Sequence, residues 1–155
     1  MKVLKLTFFC FFMTLSLKAN AQELEIGKWN FVLENDYCYI GSLPTEKDIP
    51  EGKTRGDTYI LVYRMNKSSD SIIQIDAGYP YDNDKPVEVI IDKNIYEFYS
   101  QEDSAWTEKD KKVIEAMKKG INLNVKGFSS RGTLTVDTYT LKGFTSAFNT
   151  LSKGC

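Results

Sequence analysis

From Lys28 onward the chain is divided into short runs of β-branched and aromatic residues, each closed by a cluster of Gly, Pro, Asn, Asp or Ser. Runs of this length and punctuation are the signature of antiparallel strands, and they restrict the fold more than any other feature. The runs are Lys28 to Leu33, Tyr37 to Ser42, Thr58 to Met65, Ser71 to Ala77, Val87 to Ile91, Asn94 to Ser100, Ile121 to Phe128 and Leu134 to Tyr139. Ile121, Leu123 and Val125 alternate with Asn122, Asn124 and Lys126, the period of a half-buried strand. Asp92-Lys93 separates two runs as a hairpin turn would.

Only two stretches carry helical spacing. Val113, Ile114 and Met117 form one apolar face in a segment that Thr107 can cap, with Asp110 as a capping-box partner and Gly120 as a left-handed stop. Leu141, Phe144, Phe148 and Leu151, with Ala147 between them, repeat the pattern near the end. The expectation is a mainly β protein: an antiparallel β-sandwich or open barrel-like domain of about eight strands, with short helices at 108–119 and 143–152. No repeat or linker divides it, so residues 22–155 read as one domain.

The first 21 residues belong to export rather than to the fold. Lys2 and Lys5 precede an uncharged run from Leu6 to Leu17, and Ala19-Asn20-Ala21 has the small-x-small pattern of a signal-peptidase site, placing cleavage between Ala21 and Gln22. The apolar run falls short of the roughly 20 residues that cross a bilayer, so no membrane span is expected after processing. Removal of Lys2, Lys5 and Lys18 reduces 20 basic residues to 17 against 21 acidic ones, a mature net charge of −4. Arg55, Arg64 and Arg131 are the only arginines and are scattered, which argues against nucleic-acid binding, since phosphate affinity needs clustered cations.

Cys10 leaves with the signal segment, and Cys38 and Cys155 remain. In an oxidising compartment an even pair most simply forms one disulfide; two free thiols or an intermolecular bridge are the alternatives. The chain has no histidine. That removes His-based triads, His metal sites and imidazole acid–base chemistry.

Leu43 to Asp57 holds two prolines, two glycines and seven charges, and reads as a long surface connector. Asp82, Asn83 and Asp84 lack the alternation and closing Glu of a helix-loop-helix calcium site, so a solvated turn is the simpler reading and no metal is expected. Ser129-Ser130-Arg131-Gly132-Thr133 offers hydroxyls and a guanidinium to an anion, but has neither the strand-to-helix setting nor the lysine of a phosphate loop. It reads first as a hairpin turn, with Arg131 free for a ligand or for an ion pair with Asp137. Trp106, Tyr79 and Tyr81, the tyrosines reading as exposed, are further candidates for a recognition surface, alongside Ser130 and Arg131. Ser129 or Ser130 would need an Asp and a Lys to act as a nucleophile, and no spacing indicates one.

Ala105-Trp106, Ala116-Met117-Lys118-Lys119-Gly120, Val125-Lys126-Gly127, the 129–133 turn and Asp137 to Phe144 together resemble the invasion-associated locus B family, exported proteins of Gram-negative alphaproteobacteria. Trp29 and Gly78-Tyr79-Pro80 extend the resemblance more weakly over the mature chain, and Cys38 and Cys155 stand where this branch places cysteines. Some members carry further cysteines that are absent here, so any second disulfide is missing. The resemblance implies a periplasmic or outer-envelope associated β-rich domain without established chemistry. The expected function is a non-catalytic module that binds a partner protein or envelope component, without a cofactor. A periplasmic small-ligand carrier is the alternative, and a Ser-based hydrolase the remote one.

Overall fold

The computed structural model describes residues 23–155, so the signal segment and the Ala21–Gln22 cleavage site lie outside the described residues. The strand-forming runs become β1 (Asn30–Leu33), β2 (Tyr37–Ser42), β3 (Tyr59–Met65), β4 (Ile72–Asp76), β5 (Val87–Ile91), β6 (Asn94–Gln101), β7 (Ser104–Trp106), β8 (Asn122–Phe128) and β9 (Leu134–Thr140). Helix α1 (Asp110–Lys119) lies between β7 and β8, and α2 (Phe144–Gly154) follows β9. The strands pair in the order β1-β2-β3-β4-β7-β6-β5-β8-β9, every neighbouring pair antiparallel.

β6 is the corner of this arrangement. Asn94 to Phe98 pairs with β5, whereas Tyr99 to Gln101 pairs with β7, so one strand passes from one half of the sheet to the other. The sheet curls between these halves but is not closed by a strand ladder. Its β9 edge is covered instead by the loop after β2: Glu46 bridges Thr138, and the Thr45 N–H donates to the Thr138 carbonyl at 2.8 Å. The Trp29 indole N–H donates to the Thr140 carbonyl at 3.0 Å farther along that edge. Covering an edge in this way removes the unpaired backbone groups that would recruit another strand.

Inward residues follow the period of two. Cys38 and Ile40, Ile60 and Val62, Ile73 and Ile75, Val87 and Val89, and Leu123 and Val125 are all buried. They meet Val113, Ile114 and Met117 of α1 and Phe144, Phe148 and Leu151 of α2. α2 lies against β1 and β2 and touches α1.

Four local expectations are corrected. β7 falls outside the eight expected runs, and forms because β4 and β6 offer it backbone partners on both sides. Thr107 is not the helix cap: its hydroxyl accepts the Lys109 N–H at 3.1 Å, one turn before α1 proper. Asp110 makes no capping box; its carboxylate accepts the Ile73 N–H at 2.8 Å, and β7 is paired with β4 only at Ile75 and Asp76. Gly120 is extended, with φ −80° and ψ 167°, and its lack of a side chain serves close packing, because a Cβ there would lie 2.6 Å from Ile91 Cγ2 and 2.8 Å from Leu141 Cδ1.

Candidate functional site

The connector between β2 and β3 supplies Arg55 to the most deeply buried ion pair among the described residues. Arg55 reaches inward and its guanidinium makes 2.7 Å contacts with both carboxylate oxygens of Asp137, the two side chains being 2% and 3% exposed. Arg55 Nη1 also donates to the Asp48 carbonyl at 2.6 Å, while Nε and Nη2 donate to the Ala77 carbonyl at 3.1 and 2.8 Å. These five contacts match the five N–H groups of a guanidinium. Asp137 Oδ1 additionally accepts the Asp48 N–H, and the Asp48 carboxylate accepts the Val136 N–H. Burial alone would depress the Arg55 pKa, but its bonds to Asp137 turn the shift upward, so it stays charged. The loop read as a connector is thus stapled to β9 and to the end of β4.

That staple supports one wall of a surface cleft of about 550 Å³. Pro50, Lys53, Thr54 and Gly56 line the loop side, and Ser129, Ser130, Arg131 and Thr133 of the β8–β9 turn face them. Arg55, Gly78, Tyr79, Pro80 and Thr135 complete the lining between them. Backbone bonds fix both walls: the Gly56 N–H donates to the Gly78 carbonyl at 2.9 Å, and the Ser130 N–H to the Pro80 carbonyl at 2.8 Å. Gly78 has φ +66°, and a Cβ there would stand 2.4 Å from the Gly56 carbonyl oxygen, so only glycine permits this approach.

Of the recognition candidates, the structure brings Tyr79, Ser130 and Arg131 to this cleft and leaves two elsewhere. Tyr81 is a core residue at 3% exposure, its hydroxyl without a partner among the described residues, which corrects its reading as an exposed tyrosine. Trp106 lies on β7 beside Tyr99, with ring centroids 6.3 Å apart, and does not line the cleft. Tyr79 is half-buried: its hydroxyl shares a 2.7 Å hydrogen bond with Thr135 and its ring lies 4.9 Å beneath the Arg55 guanidinium. Burial raises its pKa, with the Thr135 bond and the Arg55 charge acting in the opposite direction.

Arg131 does not pair with Asp137, because Arg55 already fills both carboxylate oxygens; Arg131 is exposed at the turn. The turn itself is the hairpin expected, with the Ser129 N–H bonded to the Thr133 carbonyl at 2.8 Å and the Ser129 hydroxyl accepting the Thr133 N–H. Asp82 is also a turn residue, accepting the Asp84 N–H and contacting Lys85 at 3.3 Å.

A second polar knot lies at the same end of β4. Asp76 is buried and accepts hydrogen bonds from the Gly78 N–H, the Tyr59 hydroxyl and the Ser104 hydroxyl at 3.1 to 3.2 Å. Burial raises its carboxyl above the usual range despite those bonds. Burial and the Asp76 charge push the Tyr59 phenol up to about 12.

The family model described as Invasion associated locus B (IalB) protein matches residues 34–152. The chain belongs to the invasion-associated locus B family. A solved relative with this fold is invasion associated protein B from Bartonella henselae, at 17% identity and a TM-score of 0.56. The match covers 81% of this chain and 92% of that one. No curated protein matches the chain.

In this invasion-associated locus B domain the two cysteines are joined. Cys38 and Cys155 form a disulfide with an S–S distance of 2.03 Å and Cα atoms 5.9 Å apart, across a sequence separation of 117. It ties the residue after α2 to β2, in the same place where Phe31 of β1 packs against Gly154. Among the described residues no helix is long and apolar enough to cross a membrane. The Arg55–Asp137 pair was missed because nothing in a Gly- and Pro-rich loop distinguishes an inward arginine from a solvated one. The available signal was Asp137 itself, in register with Thr135 and Tyr139 on the inner face of β9, where a charge requires a partner.

Proposed function

We propose that the mature chain is an exported, non-catalytic binding module of the periplasm or envelope, and that it engages a partner protein or envelope component through the cleft between residues 50–56 and 129–133. The observation that carries this reading is the rigidity of an otherwise exposed cleft: a buried ion pair and two interloop backbone bonds hold walls that no core packing requires. Walls fixed before binding lose little conformational entropy on contact. The hydroxyls of Ser129 and Ser130 have no carboxylate or amine hydrogen-bonded to them among the described residues, which favours contact over nucleophilic attack.

The test is capture from an envelope extract with immobilised residues 22–155 and with a Ser130→Trp variant that fills the cleft. Ser130 is exposed and bonds Pro80 through its backbone, so the variant keeps the fold. The expected result is a protein or envelope component retained by the native domain and lost by the variant. Equal retention by both, or none by either, refutes the reading. A small-ligand carrier is the second reading, favoured by the cleft volume of about 550 Å³, which lies in the range of small-molecule sites. A screen of periplasmic metabolites by thermal shift tests it: a ligand raises the melting temperature of the native domain and not of Ser130→Trp.

A further inference from the structure

We propose that the cleft is an oxyanion site, taking a carboxylate or phosphate group between Lys53 and Arg131; this rests on the reading of the cleft as a binding surface and specifies its chemistry. The mature chain is acidic by four charges, yet the cleft is lined by three cations and by no carboxylate. Arg55 accounts for one of the three, and it is not available to a ligand. All its N–H groups are occupied and its charge is matched by Asp137.

The surplus positive charge therefore belongs to Lys53 and Arg131. Neither side chain makes an ion pair or a hydrogen bond among the described residues, although acids outnumber bases in the mature chain. One stands on the loop wall and the other on the turn wall of the same cleft. Thr54, Ser130 and Thr133 line the same space, and their hydroxyls have no hydrogen-bond partner among the described residues, adding neutral donors. The Tyr79 phenol is excluded from this role by its bond to Thr135. A guanidinium and an ammonium on facing walls, among hydroxyl-bearing residues, suit carboxylate or phosphate oxygens, where charge-assisted hydrogen bonds are the strong ones.

The experiment is titration of the ¹⁵N-labelled mature domain with inorganic phosphate, citrate and neutral trehalose, followed by amide shifts. Phosphate, citrate or both should perturb residues 53–56 and 129–133 saturably, with trehalose inert. The double variant Lys53→Ala/Arg131→Ala should weaken that binding roughly tenfold or more, the effect of losing two charge-assisted contacts. The control Lys93→Ala/Lys142→Ala, at two exposed sites away from the cleft, should leave it unchanged. Response to phosphate alone assigns a phosphorylated ligand, response to citrate alone an acidic carboxylate, and response to both a general oxyanion site. The inference is overturned if neither anion moves the cleft amides, or if the cleft and control variants bind alike. If Ser130→Trp abolishes partner capture while Lys53→Ala/Arg131→Ala leaves it intact, the cleft is a contact surface of another chemistry. If anions bind but nothing is captured, the oxyanion site stands without the partner.

Discussion

Breaking the Arg55–Asp137 pair offers the most direct test of how the loop is held. Both side chains are almost completely buried, with two oxygen contacts at 2.7 Å. Removing one member of such a pair leaves a charge in a low-dielectric site, at a cost of about 3 to 5 kcal/mol, and replacing both with apolar residues of similar volume costs much less. Arg55→Met strands the Asp137 carboxylate with the Asp48 N–H as its remaining bond, takes the Arg55 donor from the Asp48 carbonyl and leaves the Ala77 carbonyl with the Thr58 hydroxyl. Asp137→Leu strands the guanidinium between two carbonyls. Each single variant should lose roughly 3 kcal/mol, about a 150-fold change in the folding equilibrium, and the double variant should recover at least about 1.5 kcal/mol of the sum. Urea unfolding, followed by the fluorescence of Trp29 and Trp106, measures each corner of the cycle. Single losses below about 1 kcal/mol, or strictly additive losses, would refute a buried ion pair as the support of the cleft.

Reduction of the Cys38–Cys155 bond should lower stability by about 4 to 5 kcal/mol in the chain-entropy picture for a loop of 117 residues. Non-reducing peptide mapping should recover one linked pair, and two alkylatable thiols would contradict it. Gly78→Ala should cost at least about 2 kcal/mol, combining a positive φ with a clash against the Gly56 carbonyl, and calorimetry showing a neutral change would count against the backbone contact. Asp76 has a raised carboxyl, so the folded state holds a proton that the unfolded chain has already released just above the ordinary aspartate range. Its contribution is therefore lost as pH rises through that raised value. Asp76→Asn should gain stability relative to the native domain as pH rises above the ordinary aspartate range; a flat or opposite difference in denaturant midpoints would reject the assignment.

The family resemblance rested on residues 105–144 and was visible in sequence because turn residues and core spacing in that block are locally constrained. The candidate site was legible only in part. Ser130 and Arg131 sit in a turn whose residue types advertise exposure, and Tyr79 was flagged by its Gly and Pro neighbours. Tyr81 illustrates the limit: two residues from Tyr79, it carries the same local signals, yet its ring is buried where Tyr79 meets the cleft. A bridge to Ser129 sets its backbone, and that contact is distant in sequence.

β9 makes the division plain. Its residues favour extended backbone by local propensity, and the period of two puts Leu134 and Val136 on one face and Thr135, Asp137 and Tyr139 on the other. Local sequence thus determined the strands, the two helical segments and the turns between them, since each depends on propensities and spacings within a few residues. Which face of β9 turned inward was decided elsewhere. The structure exposes Leu134 and Val136 and buries Asp137, because Arg55, 82 positions earlier, supplies the charge and hydrogen bonds that the buried carboxylate needs. The pairing of Cys38 with Cys155, the ninth strand and the opposition of the two cleft walls have the same origin: each depends on groups far apart in the chain whose meeting only the folded sheet brings about.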